Sequence, residues 1–155
     1  MLRIIGLLAI APLFLAATCA DPKYPIATWQ TVQDARQREA VMPLEWDSSL
    51  FPSVAERGQS FAGKGTWDGS FSYYPPSVRI YPWGQSGHLC EISGRIPPRG
   101  ENSPEFQDAY RLGWNWVADY TARKCLLDPQ YRHAAIAAYS VGPNGAVYEL
   151  MWLTD

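Results

Sequence analysis

Two histidines are the side chains best suited to acid–base or metal chemistry near neutral pH, and neither stands in a catalytic signature. His88 precedes Glu91 in an H-x-x-E pattern, which on a β-strand places the two side chains on opposite faces, where they cannot share a metal ion. The simpler interpretation is a histidine at a loop edge and an exposed acid. His133 stands beside Arg132 and is expected to be an exposed polar residue. Together with Asp128, the histidines would form only a weak metal site.

Other catalytic motifs are missing from the sequence. The run Gly84-Gln85-Ser86-Gly87 lacks the G-x-S-x-G form of a serine nucleophile, and the glycines at residues 63–69 lack the spacing of a phosphate-binding loop. No C-x-x-C, H-E-x-x-H or calcium-loop pattern occurs either. We therefore predict no metal, no cofactor and no catalytic residue, and we favour a protein that is not an enzyme.

Aromatic side chains are prominent, with seven Trp and nine Tyr in 155 residues. A turn-rich segment and the strand after it carry six rings that we name the aromatic patch: Trp67, Phe71, Tyr73, Tyr74, Tyr81 and Trp83. Alternation along the strand places Tyr81 and Trp83 on the face opposite Val78 and Ile80. If the aliphatic pair is buried, the rings face outward and form a binding site for protein or sugar. In the alternative, the N-terminal part of the chain folds over this face and buries the rings.

The second half of the chain has clear secondary-structure signals. Alternating residues predict strands at 78–83 and 88–96, and the turn Gly142-Pro143-Asn144-Gly145 predicts a hairpin between strands at 131–141 and 146–153. Pro82 marks an edge strand or a strand end, because proline cannot donate to a β-ladder. The last strand is apolar on both faces apart from Glu149, which suggests a central position.

A long helix is expected between the two hairpins. Ser103-Pro104-Glu105 is a good helix start, and the apolar periodicity continues to about Lys124. The expected fold is α+β: a small antiparallel sheet in the order β-β-α-β-β, with one long amphipathic helix across a face. A partly helical N-terminal arm at residues 21–65, with a helix from Thr28 or Thr31 to Val41, precedes this domain of residues 66–155.

The first twenty residues predict a signal peptide. Arg3 precedes an apolar run at residues 4–17 that is too short to span a bilayer comfortably. Ordinary cleavage before Asp21 would release a soluble chain. Alternatively, residues 15–19 resemble a bacterial lipobox, in which Cys19 would be lipidated and become the first residue. A short uncleaved anchor is a third interpretation. The expected location is the periplasm or the cell exterior, with the chain soluble or anchored as a lipoprotein.

Cysteine content agrees with export. Cys90 and Cys125 remain once Cys19 is cleaved off or lipidated, and two cysteines pair without remainder in an oxidising compartment. We predict a disulfide between them, worth roughly 4 kcal/mol for a loop of about 36 residues. The alternative is two free buried thiols. In the predicted fold, the bridge would join the end of the long helix to the second strand.

The charge of the chain limits the classes of partner that it can bind. The formal net charge is only −2, with no run of either sign, so the sequence predicts no nucleic-acid partner and no membrane contact except through a lipid at Cys19. We expect an exported cell-envelope or secreted binding protein, of inhibitor, immunity or accessory type, that acts through the aromatic patch on another envelope or secreted protein. Peptidoglycan or another glycan is a variant ligand. The alternative is a small envelope hydrolase that uses His88 or His133 with a carboxylate.

Overall fold

One mixed sheet with helices on both faces organises the chain in the computed structural model, which describes residues 18–19, 23–64, 76–85, 87–96, 105–140 and 146–155. The α+β class predicted from the sequence is confirmed. Most of the predicted signal peptide, and Trp67, Phe71, Tyr73 and Tyr74 of the aromatic patch, lie outside the described residues. The predicted boundary between arm and domain, at residues 65 and 66, lies outside them too.

Six strands are seen in the described part of the chain. They are β1 (Thr18–Cys19), β2 (Glu45–Trp46), β3 (Ser77–Trp83), β4 (Gly87–Ile96), β5 (His133–Ser140) and β6 (Val147–Thr154). The order across the sheet is β1-β5-β6-β4-β3. β2 also pairs with β5, as a parallel strand, on the same edge of β5 as β1. The four longer strands pair antiparallel, and β6 lies between β5 and β4. β6 is therefore a central strand, as its apolar character on both faces predicted.

Four helices cover the two faces of this sheet in the described residues. They are α1 (Lys23–Arg38), α2 (Phe51–Lys64), α3 (Glu105–Ala118) and α4 (Tyr120–Leu126). One face, which we call the α1 face, carries Cys90, Ile92, Ile136, Met151 and Leu153, in one core cluster with side chains of α1, α3 and α4. The opposite face, the α2 face, carries Ala135, Ala137, Tyr139, Tyr148 and Leu150, which cluster with Leu50 and with Val54 of α2. Helices on both faces replace the expected single helix on one face.

The expected long helix is divided at Asp119. Its backbone is extended there, with φ −70° and ψ 130°, and its carboxylate accepts hydrogen bonds from the main-chain N–H groups of Thr121 and Ala122 at 2.9 and 2.8 Å. Asp119 therefore caps a second helix, α4, in place of continuing α3. The periodicity of the sequence runs through the break because both helices bury apolar side chains against the same face.

The N-terminal helix belongs to the core. The expected helix from Thr28 or Thr31 to Val41 instead runs from Lys23 to Arg38, with Pro25 in its first turn, where no intrahelical N–H bond is lost. Its buried side chains recur at helical spacing: Tyr24, Ala27, Thr28, Thr31, Val32, Ala35 and Arg36. Three of the seven, Thr28, Thr31 and Arg36, are polar, so apolar periodicity alone does not reveal how much of this helix is buried.

The predicted disulfide is confirmed. Cys90 in β4 is bonded to Cys125 near the end of α4, and both residues are buried within the α1-face core. The bridge joins β4 to the short helix α4 and not to the end of a single long helix as expected.

Candidate functional site

The two described members of the aromatic patch lie on the edge strand β3. Tyr81 and Trp83 share the α2 face, as alternation predicted, with Leu89 and Gly87 of β4 as their cross-strand partners. Trp83 is 38% exposed, and its ring packs edge-on against Trp152 with a centroid distance of 6.1 Å. On the opposite side of β3, Ile80 is 60% exposed, so the aliphatic side of this strand is not fully buried. Both sides of the edge strand therefore present large apolar side chains to solvent.

Tyr81 is half-buried because α2 reaches it. Arg57 of α2 donates a hydrogen bond from Nη2 to the Tyr81 hydroxyl at 3.3 Å. α2 belongs to residues 21–65, which were expected to form the N-terminal arm. The alternative, in which this arm folds over the rings, therefore holds for Tyr81, whereas Trp83 stays partly exposed.

Glu91 is the centre of a polar cluster beside these rings, and the expectation that it is an exposed acid is wrong. Its side chain is 3% exposed and accepts hydrogen bonds from Arg57 Nε at 3.0 Å, Arg57 Nη2 at 3.2 Å and Trp152 Nε1 at 3.0 Å. The Tyr81 hydroxyl lies 3.4 Å from the same carboxylate. We call Arg57, Tyr81, Glu91 and Trp152 the Glu91 cluster. Burial is possible because the donors arrive from β3, β6 and α2 together, which no local pattern reveals.

The contacts in the Glu91 cluster fix the carboxylate of Glu91 in place and leave it poorly suited to proton transfer. Hydrogen bonding to Glu91, more than any other factor, raises the pKa of Arg57 above its ordinary value, so the guanidinium stays charged. Both carboxylate oxygens are engaged by fixed donors, and a general base needs a free lone pair aimed at a substrate. The cluster therefore links α2 to three strands of the sheet.

The two histidines are not brought together. His88 in β4 and His133 in β5 lie at the same end of the sheet, but β6 separates them and alternation places them on opposite faces. His133 Nδ1 lies 4.0 Å from Glu45 Oε2, with both side chains well exposed. His88 borders a shallow polar hollow with Asp155. Among the described residues, no group of three or more His, Cys, Asp or Glu is placed to hold a metal ion.

A second aromatic surface was missed by sequence reasoning. Trp46 of β2 packs edge-to-face against Trp29 of α1 and at a tilt against Phe51 of α2, with ring centroids 5.7 and 5.6 Å apart. They line a groove of about 440 Å³, which we call the aromatic groove: Pro25, Ile26, Trp29, Gln30, Trp46, Phe51 and Ile136. Ile26, Trp46 and Phe51 are 53%, 48% and 40% exposed. The one signal in the sequence was that Trp46 and Phe51 stand only five positions apart, with the polar residues Asp47, Ser48 and Ser49 between them.

No protein-family model matches the sequence, and no curated protein sequence matches it. Among solved structures, the fold is similar to that of an outer surface protein from Borrelia burgdorferi, with a TM-score of 0.55 and 14% identity over 88% of this chain and 97% of that chain. A cysteine-rich secretory protein from Staphylococcus aureus gives a TM-score of 0.48 and 13% identity, over 86% of this chain and 38% of that longer chain. The Borrelia protein shows a shared fold. No helix among the described residues is long and apolar enough to cross a membrane.

Proposed function

We propose that this chain is an exported, non-catalytic binding protein of the cell envelope or the secreted fraction, of inhibitor, immunity or accessory type. It recognises another envelope or secreted protein through β3 and the aromatic segment that precedes it. The observation that carries the proposal is the exposure of Trp83 and Ile80 on opposite sides of an edge strand.

The neighbours of Trp83 favour recognition. Its ring is held against Trp152, whose indole N–H is in turn fixed by Glu91. A ring that already packs against a neighbour loses less entropy on binding than one surrounded by solvent, and Trp, Tyr and Arg dominate the energetics of protein interfaces. Arg57, which donates to Tyr81 on the same strand, has a side chain that is 37% exposed. The surface thus offers an exposed aromatic ring and a partly exposed guanidinium.

The chemistry of the described titratable groups gives the hydrolase alternative less support. Glu91 is occupied by its donors, and His88 and His133 face opposite sides of the sheet. A hydrolase at either histidine would therefore have to work with exposed side chains and without the converging acid and base that such catalysis needs.

Affinity capture tests this proposal. The oxidised, secreted protein serves as bait for envelope proteins of the native host, beside the variants Trp83→Ala and Trp114→Ala. Trp114 is the matched control, since it is 41% exposed but lies on α3. We expect a stoichiometric partner whose affinity falls at least about tenfold, or 1.4 kcal/mol, with Trp83→Ala and stays unchanged with Trp114→Ala.

Other outcomes overturn the proposal in distinguishable ways. A partner retained equally by both variants would place the interface elsewhere. Sedimentation with isolated cell wall that depends on Trp83 would replace the protein partner by a glycan. A hydrolytic activity lost in His88→Ala or His133→Ala would establish the enzymatic alternative.

A further inference from the structure

The rings of the aromatic groove meet at steep angles. The planes of Trp29 and Trp46 are inclined by 72°, and those of Trp46 and Phe51 by 43°. We call these three the groove rings. Since neighbouring centroids are 5.7 and 5.6 Å apart, a group in the corner between two rings can rest against both. A cation within about 6 Å of a centroid is attracted by the negative face of the ring. The shape of the groove therefore suits a compact cation.

Exposed rings elsewhere on the molecule are already paired with cations of the chain. Arg38 lies 4.9 Å from the ring centroid of Trp114, and Lys124 lies 4.3 Å from that of Tyr120. In the part of the chain that the structure describes, no lysine or arginine lies over the groove rings in this way. The groove rings therefore keep their attraction for a cation from outside the chain.

Two carboxylates stand on either side of Trp46 in the chain. Glu45 has a side chain that is 78% exposed. Asp47 Oδ1 accepts hydrogen bonds from the N–H and the hydroxyl of Ser49 at 2.8 and 2.6 Å, and these bonds lower the pKa of Asp47, which is ionised at neutral pH. Arg132, whose carbonyl accepts from the Glu45 N–H at 2.8 Å, brings one positive charge to this edge. The balance of charge stays negative, which favours a cation over an anion.

The lining of the groove decides which cation fits. It consists of six apolar or aromatic side chains and one amide, Gln30, whose Oε1 accepts a hydrogen bond from the Tyr110 hydroxyl at 2.8 Å. A primary ammonium or a guanidinium would lose water here without finding enough acceptors for its N–H groups. A quaternary ammonium has no N–H group, and its methyl groups suit apolar and aromatic walls. We propose that the aromatic groove is a binding site for a quaternary ammonium group, which the groove rings hold and Glu45 and Asp47 attract.

A second copy of the chain is a weaker candidate for the groove. Trp46 and Phe51 are 48% and 40% exposed, and Ile26 is 53% exposed. Because an aromatic side chain buries about 250 Å² at most, the exposed area of these residues and Trp29 is about 400 Å² at most, half of the about 800 Å² that each partner of a stable interface buries. The groove shares no residue with β3, so the site does not depend on the function proposed for that strand.

Titration with choline tests the proposal on the oxidised, secreted protein at constant ionic strength. The indole N–H signals in proton–nitrogen NMR spectra report binding, and tryptophan variants assign them. The control ligand is dimethylbutanol, a neutral alcohol of the same shape in which carbon replaces the charged nitrogen. We expect the signals of Trp29 and Trp46 to shift saturably with choline, and the alcohol to bind at least about threefold more weakly. Equal affinity for both ligands, or no saturable shift with choline, would overturn the proposal.

Variants of the groove rings test the contribution of the π-system. Trp46→Leu keeps an apolar side chain without a ring and should weaken choline binding at least about threefold. Trp114→Leu is the matched control, since Trp114 is 41% exposed and already has Arg38 over its ring. If Trp46→Leu does not fold, Trp46→Phe replaces it, and its affinity should still lie below that of the unaltered protein. An affinity for choline that is unchanged at Trp46, or reduced equally at Trp114, would contradict the assignment.

The carboxylates have a separate test. The double variant Glu45→Gln/Asp47→Asn keeps both side-chain shapes, and we expect it to bind choline at least about twofold more weakly at low salt, with the difference shrinking as salt is added. Its affinity for dimethylbutanol should not change. Phosphocholine carries the same cation with a phosphate that the carboxylates repel, so it should bind the unaltered protein more weakly than choline does. Tighter binding of phosphocholine, or an unchanged affinity for choline in the double variant, would overturn the role of the two acids in the site.

Discussion

Glu149 is the most unusual titratable residue among those described. It lies on β6, fully buried on the α1 face, and accepts a hydrogen bond from Thr28 Oγ1 at 2.6 Å through one oxygen. Burial raises the pKa of Glu149 from 4.5 to about 8, although the hydrogen bond from Thr28 acts in the opposite direction. The carboxyl is therefore protonated at neutral pH, which spares the core an unpaired charge.

This raised pKa predicts a pH-dependent stability with a definite sign. Between about pH 4.5 and 8, folded Glu149 keeps a proton that the unfolded chain has released, so the free energy of unfolding falls as pH rises through this window. Glu149→Gln, which stays neutral, should make the stability less dependent on pH and higher at pH 8. Urea unfolding at pH 5 and pH 8 measures both effects. Glu56→Gln, an exposed change on α2, is the control, and an unaltered slope in Glu149→Gln would contradict the assignment.

Comparison of the Glu91 cluster with an exposed ion pair predicts that burial, more than the N–O distance, decides how much a salt bridge contributes to the free energy of unfolding. Glu91→Ala leaves Arg57 and the Trp152 indole without their acceptor, and we expect a loss of about 2 kcal/mol in unfolding free energy. Glu39 forms a shorter pair with Arg123, at 2.6 Å, but both side chains are exposed. Glu39→Ala should therefore cost less than about 1 kcal/mol. Equal losses measured by urea unfolding would contradict this ranking.

At the scale of elements, the division of the expected long helix shows how one side chain redirects the backbone. Asp119 ends α3 and starts α4, whose Cys125 is bonded to β4. In a continuous helix the N–H groups of Thr121 and Ala122 would bond to the carbonyls of Val117 and Ala118, and here the Asp119 carboxylate accepts from them instead. The cap and the disulfide together fix a helix of only seven residues, which would not be stable alone.

Replacing the cap tests this account. Asp119→Ala removes the acceptor for both N–H groups and should reduce the unfolding free energy by about 1 kcal/mol. Asp119→Asn keeps a capping oxygen and should lose less than half of that. Thermal unfolding of the oxidised protein compares the two variants. An equal loss in both would show that the charge of Asp119, rather than its capping geometry, is responsible.

At the scale of the whole molecule, Arg36 joins the two ends of the sequence. It is fully buried in α1 and donates hydrogen bonds to four main-chain carbonyls: Met42 at 2.6 Å, Leu126 at 2.7 Å, Asp128 at 3.3 Å and Tyr131 at 3.0 Å. Burial is the main cause that lowers the pKa of Arg36 from its ordinary value, and repulsion from Arg132 adds to it. The guanidinium thus connects α1 to the segment between α4 and β5.

Arg36 should tolerate no substitution well. Arg36→Met leaves four carbonyls without their donor and should cost at least about 3 kcal/mol in unfolding free energy. Arg36→Lys keeps the charge but lacks the planar fork of donors, so we expect little rescue. Arg38→Met, an exposed change two residues along the same helix, should cost less than about 1 kcal/mol. Urea unfolding of the three variants checks the order, and full rescue by lysine would contradict it.

The sequence alone was sufficient wherever structure follows from local pattern. Alternation located β3 and β4 and placed Tyr81 and Trp83 on one face, and the Pro-Asn-Gly turn located the hairpin of β5 and β6. Cysteine counting found the bond between Cys90 and Cys125. The signal peptide and the fate of Cys19 stay predictions. Each of these inferences needs only the period of a segment or the number of residues of one type.

Tertiary structure decided which polar residues are buried and which aromatic residues meet. Arg36, Glu91 and Glu149 would each carry a charge in water. Arg36 and Glu91 are buried because distant segments supply their hydrogen-bond partners, and Glu149 is buried as a neutral acid because burial raises its pKa. Trp29, Trp46 and Phe51 form a groove only because α1, β2 and α2 converge at one edge of the sheet. The burial of a polar side chain and the meeting of aromatic rings depend on contacts between segments that are far apart in the chain. Local periodicity therefore cannot predict them.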